Sequence, residues 1–331
     1  MRQSALRTSL ENDISWVEVP FEVPGDHAGA RVDAYLARRL HRYSRAEVQR
    51  LIGSGRVSLR GRAVKAAARV GPGDRIVVRY PRREEPPSRH ASLDVLYEDG
   101  SLLAVAKPGD LLSHPTDKIV RGAATSILRE QFGSRLHLVH RLDRETSGVL
   151  LLAKDPAAAR ALTDAFTRRQ VAKEYLALVR GRVAFSSRAV DLPLGREGGE
   201  IKVRQSVTKD GRPAATQFRR LAVGTGASLV AAAPRTGRLH QIRVHLATLG
   251  HPVLGDKLYT EDGAAYMKAV RRTLSAEDIA ALGAERQMLH AWRLRLAHPS
   301  TGRPLEITAP PPEDFVACAR ALGIDVRNVA R

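Results

Sequence analysis

Apolar residues recur three and four apart near the start of the chain. Val32, Tyr35, Leu36 and Leu40 form one stripe, and Val48, Leu51 and Ile52 a second, which predicts two short amphipathic helices. Ser44 followed by Glu47 supplies a capping box for the second helix, and Gly53 and Gly55 end it. Val57 and Leu59 then read as a strand, Gly61 as a turn, and Ile76 to Val78 as a closing strand behind Gly71-Pro72-Gly73. Residues 26–80 are predicted to form a small αβ module after an N-terminal extension over 1–25.

The run PRREEPPSRH over 81–90 is proline-rich, charged and nearly free of apolar residues, so it reads as a linker. Beyond it, strand-like runs alternate with helical ones. The strands are Leu93 to Tyr97, Leu102 to Ala106, Val149 to Ala153, Tyr175 to Val179 and Leu229 to Ala232; the helices are Ala124 to Phe132, Ala157 to Arg169 and Leu239 to Leu249. This is a mixed α and β domain, expected over 91–315 with a C-terminal tail over 316–331. Residues 260–287, with Ser275 ahead of Glu277 and Asp278, read as an inserted helical segment. No stretch of 18 apolar residues occurs, and no apolar run of signal-peptide length follows the N-terminus.

Charge sharpens this picture. The chain of 331 residues carries a formal +19, which favours a polyanionic partner through counterion release. Arginine outnumbers lysine 45 to 9, a bias that genome composition alone can produce. Distribution says more than the total: Arg31 to Tyr80 holds 13 basic and 3 acidic residues, over half of the excess. Arg38, Arg39, Arg42, Arg45 and Arg50 fall on the polar side of the two predicted helices, where they can follow a phosphate backbone. Cys318 is the only cysteine, which excludes an internal disulfide and a cysteine-built zinc site and fits a cytoplasmic protein.

The chemistry-bearing segment is His140-Arg141-Leu142-Asp143-Arg144-Glu145-Thr146-Ser147-Gly148, followed by the apolar run Val149 to Ala153. It puts a carboxylate in a loop against a strand, between two arginines that keep it ionised. For an arbitrary Arg-x-Asp the ordinary role is tying down its own loop. Glu145 is the one nearby candidate for a second, acidic carboxyl. The pairs His240/His245 and His137/His140 lack the i, i+4 spacing of helical zinc ligands, so they read as capping or RNA-facing groups. No dinucleotide or phosphate-loop motif is present, and neither cofactor nor metal is expected.

The segment HRLDRETSGVLLLAKD resembles the signature of the RluA-type pseudouridine synthases. Lys107-Pro108-Gly109 with His114-Pro115, Lys173 to Val179, Thr236 to His245, Gly250 to Asp256, Leu289-His290-Ala291 and His298-Pro299 follow in that family's order. One departure is Asp110, where many members carry glycine, which puts the local turn in question. The basic module resembles the RNA-binding module of the ribosomal protein S-four type, through Arg31-Val32-Asp33, Tyr43-Ser44-Arg45 and Gly55-Arg56-Val57.

The resemblance implies an α+β protein: the basic module, then a catalytic domain on a mixed, largely antiparallel sheet. It implies isomerisation of uridine to pseudouridine in structured RNA, with Asp143 as nucleophile acting either at the ribose C1′ or at the base. It further implies Tyr175 packed on the uracil, Arg238 paired with Asp143 and the target phosphate, and Leu289 as an apolar pocket wall. Arg141, beside His140, would fill the gap left by the flipped base. Arg38, Arg42, Arg45 and Arg50 are the expected RNA contacts of the module. Large-subunit ribosomal RNA is the expected substrate, with transfer RNA as the alternative and a non-catalytic assembly factor or RNA chaperone as the competing class. A monomer without membrane attachment is expected.

Overall fold

The computed structural model describes residues 16–40, 43–81, 89–115, 122–133 and 136–326. The chain divides into two compact units, Met1–Glu84 and Glu85–Arg331. The expected linker lies mostly outside the described residues, as does Arg42.

In the first unit, β1 (Trp16–Glu22) leads through a short 3-10 turn into α1 (Val32–Arg39) and α2 (Arg45–Gly53). Strands β2 (Val57–Leu59), β3 (Arg62–Ala63) and β4 (Arg75–Pro81) follow, and the antiparallel sheet runs β1-β4-β2-β3. The predicted stripes form its core: Val32, Tyr35, Leu36, Val48 and Ile52 pack with Val57, Ile76 and Val78. The Ser44–Glu47 capping box is present. The boundary expected at residue 25 is corrected, because β1 pairs with β4 along its whole length. Pro20 disguises this strand in the sequence. It is tolerated because β1 lies at the sheet edge, where a missing N–H is harmless.

Asp33, fully buried, joins the two helices. Its carboxylate accepts from Arg31 at 3.0 and 3.1 Å, from Arg45 at 3.2 Å and from Gln49 at 2.7 Å. Arg31 above all holds its pKa far below the usual range against burial. Arg45 is therefore committed to a structural pair, while Arg38 and Arg50 remain exposed on the polar face.

The second unit opens with β5 (Val95–Glu98), β6 (Leu102–Lys107), α3 (Ala124–Phe132), β7 (His137–Leu138), β8 (Ser147–Ala153), α4 (Pro156–Thr167) and β9 (Ala172–Arg180). Next come β10 (Ser187–Asp191), the hairpin β11 (Leu194–Arg196) and β12 (Gln205–Val207), then β13 (Ala215–Val223), β14 (Ala227–Pro234) and α5 (Gln241–Thr248). The segment expected to be a helical insertion holds α6 (Ala264–Arg271) and α7 (Ala276–Leu282). The chain closes with β15 (Leu289–Ala297), β16 (Pro304–Thr308) and α8 (Glu313–Ala321). The main sheet runs β10-β13-β14-β9-β15-β8-β6-β5, with β16 on β15 and β7 on β8. Among the described strands of this sheet the β15–β8 pairing is parallel and the others antiparallel, so the sheet is mixed and largely antiparallel.

The expected tail over 316–331 is also corrected. Phe315, Ala319, Ile324 and Val326 are buried in the same core as Leu176, Leu178 and Leu229, so the second unit extends through α8. In the parallel pairing, Gly148 at φ +116° lies where any Cβ would meet the Ala291 carbonyl oxygen at 2.1 Å. Only glycine lets the Asp143 loop enter the sheet so close to β15.

Several histidines are straps inside this unit. His140 Nε2 accepts from Leu151 N at 2.9 Å and its ring stacks on Phe166. His290 accepts from Ser147 Oγ and donates to Ala309 O, each at 3.0 Å. Burial pushes His140 down to about 3 and His290 to about 4 from 6.5, so both are neutral when folded. The unfolded chain takes up these protons near pH 6.5 and the folded protein does not. Stability is thus complete above that pH and falls as pH drops through the window from 6.5 to about 4, by about 1.4 kcal/mol per unit per ring. Thermal unfolding followed between pH 7.5 and 4.5 should show a steepening fall below pH 6.5, shallower in His290→Gln; a flat profile across that window contradicts the burial described here.

Candidate active site

Asp143 sits in the loop between β7 and β8, and its neighbours are fixed on every side. Ser113 Oγ accepts from Leu142 N at 2.9 Å and donates to Leu142 O at 2.8 Å. The buried Lys107 ammonium donates to the carbonyls of Pro108, Leu111 and Arg144 at 2.7, 2.7 and 3.0 Å, tying the turn at Gly109-Asp110 to the loop. Burial, with Arg286 next, pushes this lysine down to about 7. Beyond Asp143, Arg286 Nη1 donates to Glu145 O at 3.0 Å, and Gln287 holds the Glu145 carboxylate and Thr146 Oγ1 at 3.1 and 2.7 Å. Arg286 is anchored in turn by Asp314 of α8 at 2.8 Å. Gly109 is required here, because a Cβ would come within 2.3 Å of Arg286 Nε.

These straps present the Asp143 carboxylate to Arg243, on the first turn of α5. Arg243 Nη1 donates to Asp143 Oδ2 at 2.9 Å, while Nε and Nη2 grip Asp256 at 2.6 and 2.8 Å. Asp256 is fully buried and also accepts from Leu258 N and Tyr259 N. About a fifth of the Asp143 side chain remains open, at 22%. Burial pushes its carboxyl up, but His240, Arg243 and Arg141 together hold it below the usual carboxylate value. Burial also opposes charge on Arg243, and Asp256 and Asp143 overcome it.

His240 stands at the start of α5 in the left-handed region, φ 57°, an uncommon conformation for a residue with a Cβ. Its ring packs edge-on against Tyr259. The Tyr259 hydroxyl accepts from Gln205 N at 3.0 Å and lies 2.9 Å from His240 Nδ1. Burial raises the phenol above its ordinary value, so it keeps its proton and donates it to Nδ1. Nε2 then carries its own hydrogen, 3.8 Å from Asp143 Oδ2. Burial and Arg243 hold His240 down to about 4, so near neutral pH Arg243 supplies the positive charge that keeps Asp143 ionised.

Tyr175 of β9 lies in a row across the sheet with Ala291 of β15, Gly148 of β8 and Lys107 of β6. Burial, and then the Asp143 charge, push its phenol above the ordinary value, so it is protonated at neutral pH. Leu289, opposite Ala177, is packed in the core, and Arg141 is exposed beside Asp143.

Three sequence expectations change here. The partner of Asp143 is Arg243 and not Arg238, which lies in the turn before α5 and donates from Nε to Pro213 O at 3.0 Å. Glu145 is no free acid, since Lys257 pairs with it at 2.9 Å. His140 spends its acceptor nitrogen on Leu151 N. Sequence reasoning missed Arg243, Asp256 and Tyr259, and read His240 only as a capping or RNA-facing group. One signal for Arg243 was available: a charged residue between Ile242 and Val244 in a helix buried from Gln241 to Leu246 needs an internal partner. Among the described residues no three His, Cys, Asp or Glu side chains converge as metal ligands.

This arrangement makes Arg243 and Arg238 distinguishable. Arg243→Lys removes the fork that reaches both carboxylates and should lower kcat by about 100-fold, whereas Arg238→Lys should leave kcat within about twofold. Steady-state kinetics on both variants decide between them; equal losses in kcat would restore Arg238 as the partner.

A sequence profile described as RNA pseudouridylate synthase matches residues 101–248, and one described as S4 domain matches residues 30–76. The chain is 34% identical to ribosomal large subunit pseudouridine synthase D of Nitrosomonas europaea, over 96% of this chain and 91% of that one. It is 35% identical to ribosomal large subunit pseudouridine synthase C of Escherichia coli, over 91% and 95%. Among solved structures, human RNA pseudouridylate synthase domain containing 1 superposes with a TM-score of 0.57 at 30% identity, covering 71% of this chain and 90% of that one. With the fold, the S4 unit and relatives this similar along nearly its full length, the chain belongs to the RluA-type RNA pseudouridine synthases.

Proposed function

We propose that Asp143 is the nucleophile of this synthase and that its substrate is large-subunit ribosomal RNA. The observation that supports the first part is a partly open carboxylate kept ionised inside the protein by a guanidinium shared with a second, buried carboxylate. The reaction breaks the N1–C1′ bond of uridine and forms a C5–C1′ bond; the C5 hydrogen leaves as a proton and N1 gains one. Atoms and oxidation state balance without an external reagent, and a carboxylate is the group that engages the nucleoside. Tyr175, protonated and beside the carboxylate, serves as the face on which the uracil packs. Extrusion of a stacked uridine costs on the order of a few kcal/mol, and exposed Arg141 takes the vacated place in the stack.

The ribosomal assignment draws on the names of the relatives in Nitrosomonas europaea and Escherichia coli. The S4 unit, through exposed Arg38 and Arg50, supplies sequence-independent backbone contacts in the cytoplasm. Among the described residues no helix is long and apolar enough to cross a membrane. Pseudouridine mapping of total RNA from cells lacking the gene, complemented with wild type or Asp143→Ala, tests this reading. One or more ribosomal sites should disappear and return only with wild type. Restoration by Asp143→Ala rejects the nucleophile, and loss confined to transfer RNA rejects the substrate.

A further inference from the structure

Displaced from Asp143, Arg238 is left with cationic neighbours and no carboxylate. Its Nε rests on the carbonyl of Pro213, the residue after Arg212, in the loop between β12 and β13. On its other side, Lys173 Nζ, at the start of β9, donates to Thr236 O at 3.1 Å. A Cβ at Gly237 would meet nothing nearer than that ammonium, 3.8 Å away, so the space above the turn is open. Arg169 precedes Lys173 by one turn of chain. Among the described residues none of these four side chains is paired with a carboxylate, although exposed carboxylates elsewhere in the molecule take arginine or lysine partners.

The backbone at Arg169 has an uncommon conformation, which Arg272 at the end of α6 shares. Arg169 occupies the position after the C-cap of α4 with φ 61°, closing the helix through Gln170 N to Ala165 O at 2.9 Å. Glycine is the residue that adopts this conformation at no steric cost, and five other α-helix ends among the described residues use it: Gly55, Gly133, Gly250, Gly283 and Gly323. Mutual repulsion is also felt: burial, then Arg212 and Arg169, lower the Arg238 guanidinium, and burial with Arg169 lowers the Lys173 ammonium. Like charges gathered at the mouth of a site are stabilised by a bound anion.

We infer that Arg169, Lys173, Arg212 and Arg238 form a clamp for one RNA backbone phosphate next to the nucleotide presented to Asp143. The placement follows from the chain itself. Lys173 is two residues from Tyr175, and Arg238 is two residues from His240, whose ring faces Asp143. Forked guanidiniums match a phosphodiester's oxygens, and the lysine adds a point charge. The inference rests on Asp143 as the reacting centre, and its contribution is to binding and register, not to the chemical step.

The test uses the full chain and an unmodified large-subunit ribosomal RNA transcript. Equilibrium binding is measured across a salt series alongside pseudouridine formation, for Arg169→Gly, Arg212→Ala, Arg238→Ala and, as a charge-matched control, Arg320→Ala on α8. Each clamp variant should bind about fivefold more weakly, raise KM to match, flatten the log–log salt slope by about 0.7 and leave kcat within about twofold. Arg169→Gly relieves strain, so its unfolding midpoint should not fall while its affinity does. Binding and salt slopes like those of Arg320→Ala overturn the clamp, as does a fall in kcat at unchanged KM. A wild-type protein that binds the transcript without forming pseudouridine, with the clamp variants still binding weakly, would instead count against the substrate reading.

Discussion

One guanidinium shared between two carboxylates organises the catalytic unit. Arg243 is 9% exposed and grips Asp256, which is fully buried, with two nitrogens while the third reaches Asp143. An isolated buried charge would be expelled or neutralised, but two opposed carboxylates satisfy this guanidinium, and the backbone N–H groups of Leu258 and Tyr259 donate to the inner one, Asp256. The consequence is directional. The inner carboxylate anchors the arginine, and the arginine then keeps the outer carboxylate ionised while about a fifth of its surface stays open.

Such a triad has value only if its members cannot drift, and the fold supplies that rigidity from several segments at once. Ser113 pinches the residue before Asp143, Lys107 holds the residue after it, and Arg286 with Gln287 fixes the next two. Gly148, Gly109 and Gly255 are places where this convergence leaves no room for a side chain. Preorganisation of this kind spares the enzyme from moving charge or backbone at the moment of reaction.

Much of this was legible in the chain. The helix Ala124–Phe132 matches its expected bounds, and the other periodic runs fall within a few residues of theirs, because apolar spacing reports directly on which face is buried. β1 was hidden by Pro20, and α8 was cut short because nothing in its spacing announces that Phe315 and Ala319 belong to the distant core of β9 and β14. The family signature pointed to Asp143 and Tyr175, but it assigned the partner of Asp143 to Arg238, where the structure has Arg243. That choice depends on where α5 begins and which way its first turn faces, a tertiary fact. The link of His240 to Tyr259 was overlooked for the same reason, since it joins residues 19 apart, with Gln205 of the hairpin donating to the same hydroxyl.

The central claim is that Asp143 works because Arg243 is held in place by Asp256, a residue that accepts no bond from Asp143 and lies out of reach of solvent. The decisive measurement is the single-turnover rate of pseudouridine formation by Asp256→Asn, with the fold verified by circular dichroism. A loss of about 100-fold in a folded protein is the expected result. A folded variant that turns over within twofold of wild type would contradict the claim.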